Sequence, residues 1–171
     1  MKKLIAFLLC LTLVGCALIA CNKQTEETPE NTPQLNQDLL NSCKDFWTEE
    51  NKNIAIDLVK DAEAAYATYQ ENKDLDAYAN AICATIDKNQ AFINEVAAAL
   101  ESAKANVSDE DAKAIFLLKL NMLNIAPRRQ DILLITDPSY SKAVTDAEFE
   151  KTVHSATNAV TYAFCGTEPA K

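Results

Sequence analysis

Residues 74–105 read DLDAYANAICATIDKNQAFINEVAAALESAKA, and this stretch decides the fold. Its apolar side chains recur at steps of three and four residues, with Asn89 in the one polar gap of the series. Such spacing places them on one side of an α-helix, as is typical of a helix in a bundle. The series consists of Leu75, Ala79, Ile82, Ile86, Ile93, Val96, Leu100 and Ala103.

The sequence before this stretch predicts two more helical segments. Residues 53–70 carry an apolar side with a helical period, and a shorter apolar segment covers residues 39–47. Six polar residues, 48–53, interrupt the pattern between them. The two segments are therefore either separate helices or one long helix whose polar middle is exposed.

A third helical segment follows Ser108, which is a suitable N-cap for the acidic residues 109–111. Residues 112–126 are apolar nearly all round, so we expect this helix to be the central and most buried one. Pro127 suits the first turn of a new helix or a kink in the old one. Residues 137–139 then predict a turn.

The last helix is bounded by clear signals at both ends. Thr145 and Glu148 have the spacing of a capping box, and Gly166 suits a left-handed helix end. Gly166 is also the sole glycine after residue 15, which argues against glycine-rich phosphate loops and EF-hand loops. We predict an all-α fold, an up-and-down bundle of four main helices with short extra helices.

The amino terminus has the pattern of a secretory signal. Lys2 and Lys3 precede a mostly apolar run over residues 4–20, which contains LVGC at residues 13–16 and ends against LIAC at residues 18–21. Both tetrapeptides resemble the signal-peptide motif of bacterial lipoproteins as a class. This resemblance covers only the leader, and it implies cleavage before a cysteine whose sulfur and new amino terminus carry acyl chains.

Cys21 is the favoured lipidation site, with Cys16 as the alternative. The chain becomes polar directly after Cys21, whereas cleavage at Cys16 would leave an apolar segment outside. We therefore expect a signal peptide over residues 1–20, a lipidated cysteine and disordered tether over 21–34, and a single all-helical domain over 35–171. In the lipoprotein pattern, Asn22 in place of aspartate favours the outer membrane over the inner membrane.

The charge of the chain limits its partners. The net charge is −9, and loss of Lys2 and Lys3 with the leader makes it about −11. An acidic chain of this kind is repelled by nucleic acid and by anionic lipid, so we expect no nucleic-acid partner.

Three cysteines lie beyond the leader, and export would place them where disulfides persist. Three single bridges are possible among Cys43, Cys83 and Cys165. We expect Cys43 to pair with Cys165, because an up-and-down bundle brings its first and last helices together. Cys83 would then remain as a small buried side chain.

Chemistry-bearing residues are sparse. His154 is the single histidine, so no second imidazole is present to complete a metal site or a relay. We expect His154 to be a boundary residue that hydrogen-bonds to a neighbour, and we predict no catalytic residues, no metal and no cofactor.

Two functions fit these observations. The first is a membrane-anchored, non-catalytic envelope lipoprotein that presents an acidic helical module to another envelope protein. The alternative is a helical carrier or sensor that binds an apolar or haem-like ligand in the bundle, with His154 and Met122 as conceivable haem ligands.

Substitution Cys21→Ala is expected to abolish metabolic labelling of the protein with palmitate, because it removes the acylated sulfur. Cys16→Ala is the matched control and should leave labelling intact. Labelling that survives Cys21→Ala and disappears in Cys16→Ala would assign the anchor to Cys16 instead.

Overall fold

The computed structural model describes residues 32–139 and 143–167, and all regular structure in these ranges is helical. The predicted all-α bundle of four main helices is confirmed. In chain order the helices are α1 (Gln37–Ser42), a 3₁₀ turn (Lys44–Phe46), α2 (Glu49–Asn72), α3 (Leu75–Lys104), α4 (Asp109–Leu123), α5 (Ile125–Thr136) and α6 (Asp146–Cys165).

Helix α3 is the centre of the bundle. Its 30 residues begin after Asp74, whose side chain accepts a hydrogen bond from the Ala77 amide at 2.9 Å. The predicted apolar side is buried, from Ala79 near the start to Leu100 near the end, and Asn89 in the polar gap donates to the Thr85 carbonyl. Helices α2, α4, α5 and α6 all pack against α3.

Short connections produce the up-and-down order. Helix α2 ends at Asn72, the next residue Lys73 takes a left-handed conformation, and α3 begins at Leu75. Residues 105–108 turn the chain from α3 into α4, where Ser108 caps the helix as predicted. Only Asn124 separates α4 from α5, so the chain passes from one helix to the next without a loop. Pro127 lies in the first turn of α5, where its missing amide hydrogen costs nothing.

The two segments before α3 are separate helices rather than one. Thr48 takes an extended conformation and its side chain accepts from the Asn51 amide at 3.2 Å, which starts α2 at Glu49. This start lies four residues before the predicted one, because the polar residues form the exposed first turn of the helix. Trp47, at the end of the 3₁₀ turn, is buried and donates to the Leu39 carbonyl.

The end of the last helix lies next to the start of the helical domain. The capping box between Thr145 and Glu148 is present, and Gly166 ends α6 with φ +74°. The Asn36 amide donates to the Phe164 carbonyl at 2.9 Å. The positive φ favours glycine at position 166, where a Cβ atom would also lie 2.8 Å from the end of the Asn36 side chain and displace it.

The expectation for α4 is wrong. Only Ile115 and Met122 are fully covered on this helix, and four of its large apolar side chains are exposed. The most buried helix is α3, of which eleven residues are buried against two of α4, because the outer side of α4 carries large apolar side chains that the domain leaves exposed. An apolar composition on every side therefore does not make α4 central.

The predicted signal peptide, both lipidation candidates and most of the predicted tether lie outside the described residues. Within the described part of the chain, no helix combines the length and the apolar composition needed to cross a bilayer.

Two leucine-to-alanine substitutions test the difference between α3 and α4. Leu100→Ala is expected to lower the free energy of unfolding by about 2–5 kcal/mol, because Leu100 is 0% exposed and its loss leaves a cavity. Leu117→Ala, at a position that is 61% exposed, should change it by less than about 0.5 kcal/mol. Urea unfolding of both variants provides the measurement, and equal losses would contradict the exposed position of α4.

Candidate functional site

The main candidate site is the outer surface of α4, which we call the α4 face. It consists of Phe116, Leu117, Leu120 and Leu123, which are 44%, 61%, 42% and 46% exposed. These positions are one, three or four residues apart, so the helix places them on one side, opposite the buried Ile115 and Met122. Clustered apolar side chains of this kind are typical of interaction surfaces.

A groove of about 530 Å³ lies along one edge of the α4 face, between α1 and α4. Ile115, Leu117 and Leu118 supply apolar surface from α4, and Val107 adds to it from the preceding loop. The α1 side is polar and includes Asn36 and Asn41. The groove therefore combines an apolar wall with hydrogen-bonding groups from the first helix.

The groove is acidic. Asp38 of α1 and Asp111 of α4 are its charged residues, and no lysine or arginine lines it within the described ranges. Asp109 and Glu110 extend the acidic surface along the first turn of α4 and are exposed. Ser108 donates to Asp111 at 2.7 Å, which holds that carboxylate at the helix start.

Positive charge near the α4 face lies mainly at its other edge. Lys119 and Lys104 contact the carboxylate of Glu101 at 2.9 and 3.1 Å, and these hydrogen bonds lower the pKa of Glu101. Lys104 also lies 5.5 Å from the centre of the Phe116 ring. These two lysines are thus already occupied by partners within the domain. Lys113 is exposed on α4 itself, where its single positive charge follows the three carboxylates of the first turn.

A second polar centre surrounds the single histidine. The His154 ring packs edge-on against Tyr66 at 4.4 Å, and its Nδ1 lies 3.5 Å from the Tyr78 hydroxyl. Tyr78 is hydrogen-bonded to Thr157 at 2.6 Å and stacks on Tyr69. The predicted boundary histidine with a polar neighbour is therefore observed, within a cluster of aromatic rings that fixes three helices together.

The environment of this cluster perturbs its phenols. Burial raises the pKa of Tyr78 to about 12. A hydrogen bond with the Glu150 carboxylate raises the pKa of Tyr69 from its ordinary value. Both phenols are therefore protonated at neutral pH, and their hydroxyls serve as structural hydrogen-bonding groups rather than as bases.

An open groove of about 600 Å³ lies beside His154, between α6 and the junction of α4 with α5. Arg128 and Lys151 bring positive charge to it, and Glu150 brings negative charge. Ser155 also lines this groove, but it directly follows His154 on α6, and neighbouring residues on a helix point in different directions. The arrangement offers hydrogen bonds and charges without an assembled nucleophile and base.

The cysteines do not form the expected bridge. Cys43, Cys83 and Cys165 are all free thiols, so the Cys43–Cys165 disulfide is absent from the structure. It is Asn36, at the start of α1, that lies beside the end of α6. Cys43 follows the other end of α1, after a helix of six residues.

The environment of the three thiols also makes them unreactive. Burial raises the pKa of all three, that of Cys165 to about 11. Thiols of this kind stay protonated at neutral pH and are poor nucleophiles and poor metal ligands. Among the residues that the structure describes, no three His, Cys, Asp or Glu side chains are grouped so as to hold a metal ion.

Of the residues singled out from the sequence, Cys21 and Cys16 fall outside the described ranges, and the other three cysteines are free thiols. The α4 face was missed because its residues were assigned to the core. The available signal was the apolar character of α4 on all sides. Such a surface can be covered by a partner outside the domain as well as by the core of the domain.

Comparisons of the chain with protein-family models, with curated proteins and with solved structures found no match.

Substitution Tyr78→Phe tests the aromatic cluster. In the native chain the free energy of unfolding should fall by about 2 kcal/mol between pH 10 and 12, because the folded phenol keeps its proton up to a pKa of about 12 while the unfolded phenol loses it near 10. This part of the decrease should be missing in Tyr78→Phe. The Cys165 thiol lowers the free energy of unfolding of both proteins from about pH 9 to 11, because burial raises its pKa to about 11.

Denaturant unfolding at stepwise increasing pH provides the measurement. Tyr162→Phe is the matched control, because it removes a phenol hydroxyl at a position that is 47% exposed. An identical alkaline decrease in native protein and Tyr78→Phe would contradict a protonated, buried Tyr78.

Proposed function

We propose that this chain is a lipid-anchored envelope lipoprotein of a bacterium, without catalytic activity, whose helical domain holds another envelope protein on the α4 face. The leader motif supports the anchor, and Cys21 is the residue proposed to carry it. The observation that carries the docking function is the exposure of Phe116, Leu117, Leu120 and Leu123 on one helix.

The four side chains of the α4 face supply part of the binding energy that recognition needs. Burying a leucine or phenylalanine completely is worth about 1.5–3 kcal/mol, and these four side chains are roughly half exposed. Covering them releases on the order of 4 kcal/mol before the cost of association. A partner that also fills the adjacent groove gains further contact area.

The position of the α4 face suits a tethered protein. Asn36, at the start of the helical domain, lines the groove that borders the α4 face. The proposed tether over residues 21–34 therefore joins the domain close to the docking surface. A bound partner would be held within the tether's reach of the membrane, which is at most about 45 Å for 14 extended residues.

The described chemistry favours binding over catalysis. The histidine is packed among aromatic rings, and the thiols and buried phenols are protonated at neutral pH. Acid–base and nucleophilic catalysis require such groups to be poised and accessible. The α4 face, by contrast, is exposed over two turns of helix.

Site-specific photocrosslinking in living cells tests this function. A photoreactive phenylalanine analogue in place of Leu120 is expected to give a discrete crosslinked adduct, because this position lies in the centre of the α4 face. The adduct should decrease about tenfold when Leu117→Gln is added, since a polar side chain removes apolar contact without changing the charge.

The matched control carries the analogue at Ala64, which is exposed on α2 away from the α4 face, and should give no such adduct. Docking at the α4 face would be refuted if the analogue gave the same adduct from Leu120 and from Ala64. It would also be refuted if the analogue gave no adduct at Leu120 and none when placed at Leu117 instead.

A further inference from the structure

The acidic edge of the α4 face has charge that the domain itself does not neutralise. Ion pairs in the described ranges join six pairs of residues, and none of them involves Asp38, Asp109, Glu110 or Asp111. All four residues are exposed, and two of them line the groove. Exposed carboxylates beside an apolar surface favour a partner that brings positive charge.

The opposite edge of the α4 face does not offer the same attraction to an acidic partner. Lys104 and Lys119 are both held by Glu101, and Lys104 also covers part of the Phe116 ring. Two lysines on one carboxylate leave one positive charge there, and exposed Lys113 on α4, which has no ion pair within the described ranges, adds a second. The four carboxylates at the start of α4 and on α1 outnumber these two charges, and two of them line the groove, so the charge around the face is mainly negative.

We propose that the occupant of the α4 face is a cationic amphipathic helix of another protein. This inference rests on the proposed function and specifies its partner. Apolar side chains of that helix would cover Leu117 and Leu120, and lysine or arginine side chains along one of its edges would meet Asp38 and Asp111 in the groove. The helix-in-groove mode of recognition needs such a row of apolar anchors with flanking charge.

A second copy of this chain is a poorer occupant. It carries the same net charge of −9 and would bring another set of unpaired carboxylates to the contact. An anionic bilayer would be repelled by the same carboxylates. Both remain as alternative results of the experiment below.

The experiment uses the full chain in phosphatidylcholine nanodiscs and two fluorescein-labelled helical peptides of about 18 residues, or five turns. One peptide has leucines at helical spacing with lysines between them, and the other has glutamates in place of the lysines. Fluorescence anisotropy at about 50 and 200 mM salt measures binding, with empty nanodiscs as the blank. We expect the lysine peptide to bind at least about tenfold more tightly, and its affinity to fall with salt.

Two sets of variants locate the binding. The neutral pair Leu117→Gln and Leu120→Gln should weaken the lysine peptide at least about tenfold. The triple variant Asp38→Asn, Asp111→Asn and Glu110→Gln removes both carboxylates that line the groove and should reduce both its affinity and its salt dependence. The matched triple Asp57→Asn, Glu71→Gln and Glu95→Gln changes the net charge equally at exposed positions outside this edge and should have little effect. Circular dichroism confirms that each variant is folded.

Several results would overturn the proposal. Equal binding of the glutamate peptide, or equal loss in the two triple variants, would show that the charge at the groove does not select the partner. Sedimentation of the chain as a dimer that Leu120→Gln dissociates would assign the face to a second copy. Binding of the face to nanodiscs containing phosphatidylglycerol, lost in the same variant, would assign it to lipid.

The proposed function and this inference fail differently. Crosslinking from Leu120 in cells together with failure of the lysine peptide leaves docking intact and refutes the cationic helix. Loss of both signals refutes docking at the α4 face itself.

Discussion

Burial of one side of α3 is the constraint on which the rest of the structure depends. Eleven residues of this helix are buried, from Tyr78 to Leu100. Burying this length of the helix requires neighbours along roughly 33 Å. Helices α2, α4, α5 and α6 each supply a part of this cover, which explains why the chain folds back repeatedly over its longest helix.

The same constraint explains why α4 retains an apolar outer surface. Helix α4 contributes Ile115 and Met122 to the core, and Leu118 packs against it partly buried. The apolar residues on its other side are not needed by the domain. They lie next to the groove formed with α1 and next to carboxylates without internal ion pairs, so apolar and electrostatic features coincide on one surface.

Much of the fold could be predicted, because the decisive signals are local. The spacing of the α3 series, the caps at Ser108 and Thr145, and the left-handed end at Gly166 depend only on nearby residues. The burial of α4 could not be predicted, because an apolar helix does not reveal whether its neighbour belongs to the same chain. The pairing of the three cysteines, which are free in the structure, depends on contacts between distant helices that composition and period do not determine. The cluster around His154 joins positions 76 residues apart in sequence.

The contact between Asn36 and Phe164 makes the two ends of the helical domain neighbours in space. Ends that meet in this way can be joined by a short engineered linker, while new termini are opened in a surface turn such as residues 105–108. A circularly permuted chain of this kind would keep every helix packed as before. It would also present the start of α4 as a free amino terminus, which offers a direct route to fusing labels beside that helix.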